Sequence, residues 1–131
     1  MAKPYLIDEL KFDLRIYVLI YGVEPLRVFV FKEGLARFAT EQYTGPNKNN
    51  LDNLYMHLTN YAINKFSGNF VKSKGEDDDS ANKRTLTSIL EYLEEHEEGF
   101  SAERMMEKIE DIAVKTCIAV QPALAHAFRT C

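Results

Sequence analysis

An α+β fold is predicted by two observations. The first half of the chain carries β-rich runs, Leu10–Tyr21 (LKFDLRIYVLIY), Leu26–Lys32 (LRVFVFK) and Leu35–Thr40 (LARFAT). The final third carries two apolar stripes with helical spacing. Strands grouped ahead of helices, rather than alternating with them, suit antiparallel strands followed by two helices, not repeating βαβ units.

Residues 1–9 contain Pro4 and read as an irregular lead-in. The next run is a long strand over 10–21. Side chains along a strand point alternately to two faces, so Lys11, Asp13 and Arg15 share one face and Phe12, Leu14 and Ile16 the other. Its second half, Tyr17–Tyr21, is wholly apolar or aromatic, as for a strand buried on both faces. Gly22-Val23-Glu24-Pro25 is a turn signal, and the short link makes an antiparallel hairpin with 26–32. Glu33-Gly34 should turn the chain again. A third strand over 35–40 then places Arg37 on the polar side.

Gly45–Asn50 has loop composition. Met56–Asn64 fits either a strand or irregular structure. Residues 67–83, with the acidic run Glu76–Asp79, have too few apolar groups to offset ordering entropy and read as a mobile loop. Thr85 can cap a helix whose stripe is Leu86, Ile89, Leu90 and Leu93, with Gly99 as its stop. Ser101 can cap a second helix. Its stripe is Met105, Ile109, Ile112, Thr116 and Val120, with Met106, Ala113 and Cys117 beside it. Pro122 should kink or end that helix.

The 131 residues suffice for one small domain, and 46% hydrophobic with 27% charged residues is ordinary globular composition. A net charge of −4 argues against general nucleic-acid binding. The charge is uneven: Lys11, Arg15, Arg27, Lys32 and Arg37 make the first third basic, so an anionic ligand belongs there. Cys117 and Cys131, without metal-binding spacing, point to a reducing compartment. The absence of a membrane-length apolar run and of a signal-peptide pattern favours a cytoplasmic protein with no membrane partner.

Glycine-rich phosphate loops, paired-histidine helices and serine elbows are missing. The candidates for chemistry are polar positions within β-rich sequence: Lys11, Asp13, Arg15, Arg37, His57, Thr59 and Asn60. Each has a bland alternative. The strand charges could simply be solvated, His57 could be structural, and Thr59-Asn60 could be a turn. Converging, they would form a cationic floor with hydroxyl and amide groups, which suits a polyanion such as a nucleotide phosphate chain. Magnesium wants carboxylates, and the floor offers only Asp13, so this nucleotide site is incomplete.

KFDLR at 11–15, EGLARFAT at 33–40, NLDN at 50–53 and MHLTNYAINK at 56–65 stand in an order and spacing that resemble the tubulin–tyrosine ligase-like family, most closely its glutamylase branch. The resemblance runs from Pro4 to Cys131. It implies an internal portion of an ATP-grasp type domain, in an enzyme that adds glutamate to glutamate side chains of tubulin tails through an acyl-phosphate made from ATP. It further implies ATP contacts from Lys11, Phe12, Asp13, Arg15, Thr59 and Asn60. Glutamate contacts are implied for Arg37, Tyr61 and Lys83, and catalytic roles for Arg15 and Arg37. His57 is expected to pack. The family's magnesium ligands and further ATP-binding lysines have no counterpart here, so the chain is expected to be a catalytically inactive piece of a larger enzyme. The expected setting is the microtubule cytoskeleton, including cilia, flagella and basal bodies. Two alternatives stand: glycine ligation on the same scaffold, and a non-catalytic anion-binding module.

Overall fold

The computed structural model describes residues 3–72 and 81–130. It comprises two compact units: Met1–Arg15 with Gly34–Ile89, and Ile16–Glu33 with Leu90–Cys131. The elements are β1 (Leu6–Ile7), β2 (Leu10–Val23), β3 (Leu26–Phe38), α1 (Leu54–His57), α2 (Tyr61–Asn64), β4 (Lys83–Thr85), α3 (Leu86–His96) and α4 (Ala102–Thr130). The strands form a four-stranded sheet in the order β1-β2-β3-β4, with antiparallel pairing at β1–β2 and β3–β4. The expected α+β class holds, with two further short strands and two single-turn helices added.

In the first unit, β1 meets β2 through a two-residue turn, with Ile7 paired to Leu10. Asp8 and Glu9 both take positive φ, 52° and 61°, as a tight hairpin turn of this twist requires. Within the lead-in, Leu6–Ile7 is therefore a strand, while residues 3–5 are irregular as expected. On the other side, β4 pairs with the end of β3 in the register Leu35↔Thr85, Ala36↔Arg84 and Arg37↔Lys83. Arg84 fixes that register. Its buried guanidinium donates to the Ala81 carbonyl (3.2 Å) and the Asp8 carboxylate (3.2 Å), and lies 4.2 Å over the Phe38 ring. Neighbouring side chains on a strand alternate, so burying Arg84 turns Lys83 to the opposite face. The unit's core is Ile7, Ala36, Phe38, Met56, Leu86 and Ile89.

Glu33-Gly34 does not turn the chain. β3 runs through it without a break. Gly34 is there because a Cβ would lie 2.4 Å from the Arg15 carbonyl oxygen, so only a bare Cα lets the two backbones approach. Met56–Asn64, open between strand and irregular structure, holds the end of α1, an irregular link over 58–60, and α2. Asn53 caps α1, its side-chain oxygen accepting from the Met56 N–H at 3.3 Å. Thr85 caps α3 as expected, accepting from the Ser88 N–H at 3.1 Å. Of the loop expected over 67–83, residues 73–80, including the acidic run, lie outside the described residues.

In the second unit, β2 and β3 turn at Glu24-Pro25. Ser101 caps α4 through the Arg104 N–H (3.3 Å), and Gly99 takes φ +76° in the link from α3. Pro122 does not end α4, which continues to Thr130. Packing carries the helix through: Cys117 and Ala125 are buried on either side of the proline. Gln121 donates to the Val23 carbonyl (2.9 Å), and Arg129 pairs with Glu24 (2.6 Å). Cys117 and Ala125 are the buried residues of α4, and Met105, Met106, Ile109 and Ala113 are partly covered. Ile112, expected on the inward stripe, is 64% exposed, and Val120 is also exposed. Tyr17–Tyr21 is likewise not buried on both faces. All five residues of Tyr17–Tyr21 are exposed, as are Phe29 and Phe31 on β3, while Val28 and Val30 are partly covered. The alternation on β3 belongs to a strand with one covered face.

Candidate functional site

The site lies in the first unit and is organised by Asp13. β2 carries Asp13 and Arg15, and β3 carries Arg37. Arg37 grips Asp13 with two hydrogen bonds, Nε to Oδ1 at 3.2 Å and Nη2 to Oδ2 at 2.6 Å. Such a planar two-point clamp fixes both side chains. The Arg15 guanidinium stands 3.5 Å from Asp13 and is half exposed. Thr59, in the link between α1 and α2, lies near enough to Asp13 to favour its carboxylate form. Burial works to raise the Asp13 pKa. The hydrogen bonds from Arg37, the nearby Thr59 side chain and the charges of Arg37 and Arg15 outweigh it and hold the carboxyl below its usual value. Asp13 is therefore a carboxylate already engaged in holding two arginines.

Beside this cluster is a cavity of about 450 Å³ lined by Arg37, Thr59, Tyr61 and Lys83, together with Phe38, Asn64, Phe70, Val71, Lys72 and Asn82. Among the described residues the lining holds three cations and no carboxylate. Tyr61 and Phe70 meet edge to face at 5.8 Å and give one wall an aromatic surface. The cavity thus suits an anion carrying an aliphatic or aromatic part. Asn82 secures its rim, donating to the Ala39 carbonyl (3.1 Å) and accepting from the Val71 N–H (2.7 Å).

Four of the expected residues, Arg37, Thr59, Tyr61 and Lys83, therefore share one cavity. Asp13 and Arg15 stand next to it through Arg37 and Thr59. Lys11, Phe12 and Asn60 do not line it. The Lys11 ammonium donates to the His57 carbonyl (2.9 Å), tying the end of α1 to β2. Phe12 stacks on Phe38 at 5.3 Å. Asn60 is exposed and makes no side-chain cap on α2. His57 packs as expected, edge to face with Tyr43 at 6.0 Å and with Nε2 2.9 Å from the Asn50 carbonyl. Sequence reasoning missed Asn64, Phe70, Lys72 and Asn82. The signal available was the pair of asparagines flanking a polar stretch, which also reads as ordinary loop composition. Among the described residues no group of three or more His, Cys, Asp or Glu is placed to hold a metal ion, and no helix is long and apolar enough to cross a membrane.

The family model for the tubulin-tyrosine ligase family matches residues 1–130. The chain belongs to that family. Over its whole length it is 49% identical to the tubulin polyglutamylase TTLL6 of Mus musculus, covering 15% of that protein. It is 49% identical to the tubulin polyglutamylase TTLL13 of Homo sapiens, covering 15% of it. It is 48% identical to a probable beta-tubulin polyglutamylase of Tetrahymena thermophila, covering 11%. The chain thus spans about a seventh or less of the length of these tubulin–tyrosine ligase family relatives.

Proposed function

We propose that this chain builds part of the substrate site of an ATP-dependent ligase that adds glutamate to glutamate side chains of tubulin tails. The observation that carries the proposal is the cavity where Arg37, Lys72 and Lys83 stand around an aromatic wall, with no carboxylate among the described lining residues. Relatives whose names describe tubulin polyglutamylases support it. In this reading Arg37, Tyr61 and Lys83 hold the incoming glutamate. Free glutamate carries two carboxylates and glycine one, so a three-cation lining favours glutamate over the alternative, glycine.

Lys11, Phe12, Asp13, Arg15, Thr59 and Asn60 are assigned to the border of the ATP. The exposed Arg15 guanidinium and the Thr59 hydroxyl fit an anionic phosphate chain. Bound there, ATP supplies the phosphoryl group that activates the acceptor carboxylate. Arg15 then steadies charge on the transferring group, and Arg37 keeps the amino acid in line for attack. The described residues do not fit a magnesium site, because Asp13 is committed to its arginines, and no step is assigned to the metal. The acceptor places the protein on microtubules, with axonemes of cilia as one such setting.

The test is incorporation of radiolabelled glutamate or glycine into tubulin by the full-length protein, with ATP present or omitted. ATP-dependent glutamate incorporation is expected. Preferential glycine incorporation, or none of either amino acid, overturns the proposal.

A further inference from the structure

Asn64 closes α2 and is 1% exposed. A buried primary amide is costly unless its hydrogen-bonding groups find partners. Here the carboxamide is well used. Its oxygen accepts from the Thr40 hydroxyl at 2.8 Å, and its nitrogen donates to the Leu58 carbonyl at 2.8 Å and the Asn60 carbonyl at 3.1 Å. Thr40 is itself buried, and its N–H donates to the Tyr55 carbonyl at 3.1 Å. The two carbonyls held by Asn64 flank Thr59, so the peptide groups that set the direction of the Thr59 side chain are fixed from within. Backbone capping of a four-residue helix does not require this. The Asn64 N–H already donates to the Asn60 carbonyl at 2.9 Å, so the side chain does something more.

We infer that Asn64 is a positioning residue, whose carboxamide holds the Leu58–Asn60 backbone and so keeps Thr59 at the cavity beside Arg37, the arginine that Asp13 clamps. The inference deepens the proposed ligase function and rests on it for its link to catalysis. The line runs from Thr40 to Asn64 and on to the Leu58 and Asn60 carbonyls by hydrogen bonds, then through the backbone to Thr59, which lines the cavity with Arg37, itself bonded to Asp13. Asparagine meets the need because one amide offers an acceptor and two donors. Leucine of similar size offers neither, and a carboxylate would present no donors to the two carbonyls.

Two readouts test it. The first is independent of catalysis: carbon-13 NMR titration of the Asp13 carboxyl in wild type, Asn64→Leu, Thr59→Val and the double variant. These substitutions add no charge and leave Arg15 and Arg37, the cations facing Asp13, in place. The Asp13 titration should move upward in Asn64→Leu as it does in Thr59→Val, and the double variant should move no further. The second is kinetics of the full-length protein. Asn64→Leu and Thr59→Val should each lower kcat/KM for glutamate on the order of tenfold, again without additivity. If Asn64→Leu fails to fold, Thr40→Val, which frees the amide oxygen, must still move the Asp13 titration upward. An unchanged Asp13 titration, or shifts that sum in the double variant, overturns the inference. A wild-type protein without ligase activity but with the expected titration shifts overturns the proposed function and leaves the placement of Thr59 by Asn64 standing.

Discussion

Arg37 and Lys83 face each other directly across the β3–β4 ladder. Like charges at directly opposed strand positions repel, so the pair by itself costs stability. Arg37 is compensated by Asp13, whereas Lys83 is exposed and makes no ion pair with the described residues. An arrangement of this kind is relieved when an anion lies between the two. Lys83→Met is therefore expected to leave the melting temperature unchanged or slightly raised while raising the glutamate KM. A thermal melt and glutamate titration on the same preparation check this. A lowered melting temperature with unchanged KM would make Lys83 a structural residue.

The two arginines should divide the kinetic parameters. Arg15→Ala removes a half-exposed guanidinium assigned to phosphate, and should abolish turnover with little change in the glutamate KM. Arg37→Ala removes the carboxylate reader and should weaken glutamate binding by about 1.5–3 kcal/mol, the value of a charged hydrogen bond. Varying ATP and glutamate separately distinguishes them. Identical changes in both variants would dissolve the assignment.

Acid should loosen the Asp13 clamp. Its pKa is lower in the folded protein than in the unfolded chain, so its contribution is fully present above the unfolded value of about 3.9 and is lost as pH falls through the folded value. The stability difference between wild type and Asp13→Asn should shrink between neutral pH and about pH 3. Melting curves at both ends of that range test it, and a gap that widens in acid contradicts the stated sign.

Burial separates two isoleucines that the apolar pattern treats alike. Ile89 is 1% exposed, and Ile89→Ala should cost about 2–5 kcal/mol. Ile112, at 64% exposed, should change stability by no more than about 0.5 kcal/mol when replaced by alanine. Denaturant titration of both variants settles the order. Equal losses would mean that Ile112 is covered in solution.

Gly34→Ala should be destabilising by about 1–3 kcal/mol, because its methyl would meet a backbone oxygen that has no rotamer to escape by. The shift would displace the Arg15 peptide, so ligase activity should fall along with stability. A variant as stable and active as wild type would show that the strands separate at no cost.

Local chemistry was legible in the sequence, and long-range commitments were not. Thr85 and Ser101 were readable as caps because a cap is decided within a few residues. The shared face of Asp13 and Arg15 followed from strand alternation. Two- and three-residue strands such as β1 and β4 have no period to detect, so the partner of Arg37 at Lys83 stayed hidden. Gly34 reads as punctuation in sequence, whereas its role is close approach to a backbone far off in sequence. Asn64 and Asn82 belong to a residue type common in loops, and only the fold shows them buried and bonded. The run at Tyr17–Tyr21 shows which residues are apolar without saying what covers them.

The chain passes between its two units three times, after Arg15, Glu33 and Ile89. That path governs which chimeras with relatives can succeed. A block exchange of 16–33 alone would bring in a hairpin whose Val23 carbonyl and Glu24 carboxylate were selected against a different terminal helix, losing the match to Gln121 and Arg129. Exchanging 90–131 alone fails for the mirror-image reason. Viable recombinants should carry the two segments from one parent, so inheritance here is paired between stretches of sequence that are far apart, and a single crossover at residue 60 would divide the pair.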